Sequence, residues 1–179
     1  EPIEYLVENF GFEVTVLQPY DQEITAKQVK DALRDDTILV STMYVNNETG
    51  TILPITEIGE VVRNHSAVYH VDAVQAVGKL TIKPEELGID FLSASGHKFH
   101  GPKGVGFLYA SSMDFDSYIH GGDQEHKKRA GTENLPAIVG MVAAFKEELS
   151  KQTANYQAVQ RLQDLFLTKI SSLNYYINH

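Results

Sequence analysis

Short apolar segments that alternate with helical segments are the feature that most limits how this chain can fold. Strands are predicted at residues 12–17, 37–42, 67–72, 91–94 and 105–110, and helices at residues 1–10, 25–33, 54–63 and 73–77. The segment 37–42 is so apolar that we expect both faces of its strand to be covered. Strands separated by helices form βαβ units, so the sequence predicts an α/β fold with a mostly parallel sheet flanked by helices.

A helical extension follows this alternating part. From Asn134 to about Leu173, apolar residues recur at the spacing of a helix. We therefore divide the chain into an α/β core at residues 1–133 and a helical extension at residues 134–179. The sequence contains no internal repeat and no obvious linker.

The composition argues against several classes of function. The formal net charge is −9, which disfavours nucleic acid and anionic membranes as partners. No run of apolar residues approaches the roughly 18 that a transmembrane helix needs. The chain contains no cysteine, so it offers neither a disulfide nor a thiolate. Because no secretory signal is visible at its start, we expect a cytoplasmic protein.

Polar residues follow three of the predicted strands, at the point where each strand ends. They are the turn at residues 46–48, the carboxylate of Asp72 and the segment at residues 95–98. In open α/β sheets, ligands bind at the carboxyl ends of the strands. This shared placement is the first indication of a functional site.

Lys98 lies in the segment SGHKFHGPKG, between two strands that both read as buried. A lone lysine is usually a solvated surface charge. A lysine desolvated at this junction would instead favour the neutral amine that forms Schiff bases. Ser95 and His97 beside it carry donors suited to a phosphate. A phosphate close to an amine at a strand end is what pyridoxal 5'-phosphate (PLP) presents.

Asp72 and Gln75 allow two interpretations. Asp72 could cap the helix predicted at residues 73–77, and Gln75 could complete a capping box with it. Alternatively, Asp72 could pair with a buried cation such as the pyridinium nitrogen of PLP, which keeps the ring an electron sink. Gln75 could then donate a hydrogen bond to an oxygen on the same ring.

Two loops carry weaker signals. Asn47 belongs to a polar turn in which Gly50 supplies positive φ, but two adjacent amides after a strand also suit a ligand. Thr132 ends a charged, glycine-bounded loop that begins at Gly121. That loop reads either as a mobile surface loop or as an anion-binding loop before a helix.

The histidines also raise the question of a metal. His97 and His100 have an H-x-x-H spacing, and His120 and His126 follow. Zinc sites commonly include cysteine, which this chain lacks, and no HExxH motif is present. We therefore expect no metal site.

Four blocks of sequence resemble the cysteine desulfurases, the NifS/IscS-like branch of the class V aminotransferases. The blocks are residues 44–50 (YVNNETG), 70–79 (HVDAVQAVGK), 95–106 (SGHKFHGPKGVG) and 121–134 (GGDQEHKKRAGTEN). They stand in the family's order and spacing, and the resemblance extends over essentially the whole chain. It implies the large-domain fold of PLP-dependent transferases, incomplete here, with the helical extension leading toward a small domain.

The resemblance implies a role for each candidate residue. Lys98 would bind PLP covalently and move protons during turnover. Asp72 would pair with the pyridinium nitrogen, and Asn47 and Gln75 would lie near the phenolic oxygen of the ring.

The remaining candidates would contact the phosphate. Ser95 and His97 resemble phosphate ligands, and Thr132 resembles a residue that reaches the phosphate of the neighbouring subunit in a homodimer. In this family an enzyme thiolate takes sulfur from PLP-bound L-cysteine and releases L-alanine. The resulting persulfide supplies acceptor proteins for iron–sulfur cluster assembly or tRNA thiolation.

The chain also departs from the family pattern. It lacks the catalytic cysteine and the carboxylate-binding arginine toward the C-terminus, and the phosphate-binding segment and ring-stacking histidine upstream of Glu1. It opens inside a predicted helix without Met, and residues 174–179 resemble the crossing into the small domain. We interpret the chain as a piece of a longer enzyme that is inactive alone and self-associates through an unpaired sheet edge. Another class V enzyme, such as a selenocysteine lyase, and a non-catalytic partner-binding domain are the alternatives.

Overall fold

The computed structural model describes residues 2–19 and 23–175. Glu1 and the last four residues of the segment 174–179 therefore lie outside the described residues. The helices are α1 (Pro2–Phe10), α2 (Ala26–Ala32), α3 (Ile55–Arg63), α4 (Pro84–Leu87) and α5 (Leu135–Ile170). The strands are β1 (Leu39–Met43), β2 (Val68–Asp72), β3 (Phe91–Ser95) and β4 (Gly106–Ala110), and 3-10 turns span Gly96–Phe99 and Glu125–Lys127.

The four strands form one sheet in the order β1-β2-β3-β4. β1, β2 and β3 are parallel, and β4 runs antiparallel to β3. The crossovers between the parallel strands carry α3 and α4. The prediction of an α/β fold with a mostly parallel, helix-flanked sheet is confirmed.

The core lies against one face of this sheet. In β2 and β3 every second residue is buried and the residues between are only half-buried, so one face is packed and the other is more open. Tyr69 and Val71 of β2 and Ile58 of α3 are 0% exposed. The capping box that opens α2 is also present, since Thr25 and Gln28 exchange side-chain and backbone hydrogen bonds.

The long helix α5 packs on the core near its beginning. Ala137 and Met141 are its buried residues, and Phe145 packs on Phe99 with ring centroids 5.6 Å apart. Most of its apolar residues beyond this point are exposed, including Leu162 and Phe166. Among the residues described, no helix combines the length and the apolar character that a membrane crossing requires.

Several local predictions are wrong. Residues 12–17 form no strand, because none of the described strands pairs with them. Their apolar members Phe12, Val14 and Val16 are exposed by 44%, 48% and 70%. β1 is an edge strand with exposed positions, so the expectation that both faces are covered also fails.

Two further differences concern short elements. Residues 73–77 make a single hydrogen-bonded turn, in which Ala76 and Val77 both donate to the Ala73 carbonyl, and Gly78 follows at φ 81°. At Gly78 the backbone leaves the helical conformation, so the turn does not extend into a helix. The short helix α4 was not anticipated, because four residues are too few for an apolar period.

Candidate functional site

The parallel register brings the predicted polar residues to one edge of the sheet. β1 ends at Met43, which pairs with Asp72 at the end of β2, and Asp72 pairs in turn with Ser93 of β3. The Tyr44 N–H donates to the Asp72 carbonyl over 2.8 Å and ties the ends of β1 and β2 together. Ser95 lies two residues beyond Ser93, on the same face as Asp72 because side chains alternate along a strand.

A row of polar side chains crosses this open face. His70 lies between two serines: its Nδ1 is 2.8 Å from Ser41 Oγ, and its Nε2 is 3.3 Å from Ser93 Oγ. Burial lowers the pKa of His70, and the nearby Asp72 carboxylate opposes that shift. A neutral ring can accept from one serine and donate to the other, so the row satisfies its own hydrogen bonds.

Asp72 is half-buried and keeps hydrogen-bonding capacity. Its Oδ1 accepts from the Val74 N–H at 2.9 Å, which is the local turn contact of a capping aspartate. Within the described chain Asp72 forms no ion pair. The half-buried Gln75 makes no side-chain hydrogen bond there, so the capping-box alternative for this pair is not formed. Both side chains can therefore still reach a ligand.

The turn Gly96–Phe99 carries Lys98 just beyond β3. Ser95 Oγ is 2.9 Å from His97 Nδ1, which folds the histidine back toward the strand end. Gly96 and Phe99 are buried against α5, whereas His97 and Lys98 are exposed on the outer side of the turn. The expected desolvation of Lys98 is therefore wrong for this chain. Its amine forms no hydrogen bond or ion pair among the described residues.

The glycines around this turn are required by close packing of the backbone. A Cβ on Gly106 would lie 2.4 Å from the Ala94 carbonyl oxygen, and one on Gly101 would lie 2.9 Å from that of Gly96. A Cβ on Gly96 would lie 3.1 Å from Met141 of α5. The glycines thus let the turn pack tightly against β3 and α5, and this packing fixes the position of the Lys98 backbone.

Asn47 belongs to the loop after β1, and Thr132 belongs to the loop before α5. Asn46 holds the turn after β1, since its Oδ1 accepts from the N–H groups of Glu48 and Thr49, while Asn47 is exposed. Thr132 is exposed before α5, whose N-cap is Asn134. Neither residue makes a side-chain hydrogen bond to the other candidates within residues 2–19 and 23–175.

The histidines diverge rather than converge. His97 contacts Ser95, whereas His100 contacts Glu148 of α5 with its Nδ1 2.9 Å from a carboxylate oxygen. The described part of the chain contains no group of three or more His, Cys, Asp or Glu residues suited to a metal ion. Two surface depressions of about 370 and 330 Å³ lie elsewhere, at residues 23–57 and along α5.

Comparison with known proteins identifies the family. Residues 1–178 match the aminotransferase class-V family, and the chain belongs to that family. The chain is also similar to individual cysteine desulfurases. It is 44% identical over 173 residues to the cysteine desulfurase IscS of Dictyoglomus turgidum, an alignment that covers 95% of this chain and 43% of the relative.

Solved structures of related proteins also match the fold of this chain. A NifS-like protein matches with a TM-score of 0.90 and 34% identity, covering 96% of this chain and 48% of that one. The protein SspA, solved in complex with cysteine, matches with a TM-score of 0.78 and 40% identity, covering 89% of this chain and 48% of its own. The chain thus spans less than half the length of these three proteins, and the family relationship implies dependence on PLP.

Sequence reasoning missed several residues of this edge. His70 and Ser93 lie two residues before Asp72 and Ser95, so the alternation of strand side chains could have placed them on the same face. Lys79 and Glu148 also approach the turn, from a loop and from α5. No local pattern signals those two contacts, because they join segments far apart in sequence.

Proposed function

We propose that this chain is the PLP-binding part of a cysteine desulfurase. The observation that carries the proposal is the meeting of Asp72, Ser95 and the Lys98 turn at the carboxyl edge of adjacent parallel strands. Membership of the class V aminotransferases and similarity to proteins named cysteine desulfurase support it. Residues 1–133 would form the cofactor-binding core, and residues 134–179 would lead toward a further domain.

The donors at this edge fit PLP chemically. Lys98 offers a free amine for the aldehyde carbon, and Asp72 offers a carboxylate without an ion-pair partner among the described residues for the pyridine nitrogen. Ser95 and His97 offer an adjacent hydroxyl and imidazole for phosphate oxygens. Gln75 and Asn47 supply amides for the phenolic oxygen.

Each of these residues would have a defined role once PLP is bound. PLP, when bound, supplies an electron sink that labilises bonds at the substrate's α-carbon. Asp72 would pair with the ring nitrogen and hold a proton there, which would sustain that sink. Lys98 Nζ would hold the cofactor and would move protons at the substrate. Ser95 and His97 would orient the cofactor through its phosphate.

The relatives support a proposal for the substrate and the partners. A structural relative was solved with cysteine, which supports L-cysteine as the substrate. The 179 residues contain no cysteine, so the sulfur-accepting thiolate would come from a residue outside them. We further propose a homodimer in which the exposed Thr132 reaches the partner subunit's phosphate, with sulfur passing to acceptor proteins.

Titration with PLP tests this proposal. The chain is expected to develop a visible absorbance band that Lys98→Ala abolishes. Lys103→Ala is the matched control, because Lys103 is an exposed lysine in the same loop. If the Lys98→Ala variant gives the same band as the unmodified chain, the proposal is wrong.

A further inference from the structure

The turn that carries Lys98 is held from outside by a second lysine. Lys79 Nζ donates a hydrogen bond of 3.1 Å to the main-chain carbonyl of Lys98. Lys79 follows the turn after β2, just beyond Gly78, so it ties the segment after one strand to the segment after the next. A charged donor to a carbonyl is stronger than a neutral one, and it acts here on the backbone of Lys98 itself.

Glu148 of α5 contacts the residue that ends the same turn. Its Oε1 lies 2.9 Å from His100 Nδ1, and its Oε2 accepts from Asn155 Nδ2 at 3.4 Å. The Glu148 side chain is only 15% exposed. His100 ends the turn in the left-handed conformation at φ 66°, which a non-glycine residue adopts at a cost. The contact with Glu148 helps to keep His100 in that conformation.

The charges of the two anchors are coupled. Partial burial lowers the pKa of Lys79, the positive charge of Lys98 lowers it further, and the Glu148 carboxylate opposes both. Glu148 therefore favours the protonated Lys79 that donates to the Lys98 carbonyl. The two ammonium groups are also close enough to repel each other, which disfavours folding Lys98 back toward Lys79.

From this arrangement we infer that Lys79 and Glu148 are positioning residues for Lys98. They fix the backbone of the turn at Lys98 and the side chain of His100. The main chain that carries the Lys98 amine is thereby held in one position at the sheet edge. The functional role of this anchoring rests on the proposed function, in which Lys98 binds PLP. The contacts themselves exist in the chain without cofactor. Neither residue is assigned contact with substrate or cofactor.

Hydrogen exchange of the 179-residue chain tests the anchoring directly. The N–H groups of His100 and Gly101 both bond to the Gly96 carbonyl, so their exchange reports opening of the turn. Lys79→Met and Glu148→Gln are each expected to speed that exchange by about threefold to tenfold, the effect of losing one partly exposed charged contact. Lys79→Arg keeps a charged donor and should restore protection.

Matched controls separate anchoring from general loss of stability. Lys83→Met removes a lysine that pairs with Glu86 on the surface, and Asp31→Asn removes a carboxylate that pairs with Lys27 on the surface of α2. Neither control should change exchange at residues 100 and 101. Exchange in the core strands should remain unchanged in all variants.

The same variants, mixed with PLP, give a second readout. Lys79→Met and Glu148→Gln should weaken and broaden the visible band, whereas the two controls should not. If neither exchange nor the band changes in Lys79→Met and Glu148→Gln, the positioning role is refuted. If the unmodified chain gives no band at all, the proposed function fails, and the exchange result alone decides whether the turn is anchored.

Discussion

Because of Tyr69, this fold should lose stability as the pH rises into the alkaline range. Its side chain is completely buried, and its hydroxyl lies 3.0 Å from Thr42 Oγ1. Burial raises the pKa of Tyr69 to about 12, from an ordinary value of 10.0. The unfolded chain therefore releases this proton first as the pH rises, and the native state must keep its ring neutral.

The size of the effect follows from linkage. A group whose pKa is raised on folding contributes stability that is complete below the unfolded pKa and is lost as the pH rises through the folded pKa. For Tyr69 the loss begins near pH 10 and reaches about 1.4 kcal/mol at pH 11. Beyond pH 12 it approaches about 2.7 kcal/mol, the value of two pKa units.

Urea unfolding at pH 9 and pH 11 measures this loss in the unmodified chain and in Tyr69→Phe. The phenylalanine variant cannot ionise, so its loss between the two pH values should be smaller by about 1.4 kcal/mol. Tyr118→Phe is the control, because Tyr118 is 96% exposed and is in water in both states. Equal losses in Tyr69→Phe and the unmodified chain would refute the reasoning.

Three further outcomes follow from the structure. Gly59→Ala should lower the free energy of unfolding by about 1–3 kcal/mol despite the better helix propensity of alanine, because the new Cβ would lie 1.9 Å from the Leu87 carbonyl oxygen. Gly140→Ala, whose Cβ meets only the Pro102 ring at 3.0 Å, should cost less in the same urea titration, and equal costs would contradict this account. Thr25→Ala should cost about 1 kcal/mol by breaking the α2 capping box, whereas no change on thermal melting would show that the box contributes nothing. Leu39→Lys on the exposed edge strand β1 should reduce self-association in sedimentation velocity, and unchanged association would exclude this edge as the contact.

The sequence anticipated the elements that carry a strong periodic pattern. The apolar spacing of Ile55, Ile58 and Val62 predicted α3, and all three residues are buried. The alternation around Tyr69 and Val71 predicted β2, and Asp72 ends that strand as expected. Because parallel strands end at the same edge, these local predictions also brought Asp72 and Ser95 together.

The failures have physical causes beyond the local pattern. Residues 12–17 alternate as a strand does, but a strand needs a partner for its hydrogen bonds, and no strand in the described part of the chain pairs with them. The exposure of Lys98 depends on which side of the turn α5 covers, and the anchors Lys79 and Glu148 depend on contacts between distant segments. Local sequence patterns carry no information about such long-range packing.

The most direct test of the central claim is to identify the atom that takes the cofactor. The chain is incubated with PLP, reduced with borohydride to make the attachment permanent, digested and mapped by mass spectrometry. The pyridoxyl group is expected on Lys98 and should be lost from this peptide in Lys98→Ala, while Lys79 and Lys103 remain unmodified. Labelling spread over the exposed lysines, with no preference for Lys98, would contradict the assignment of Lys98.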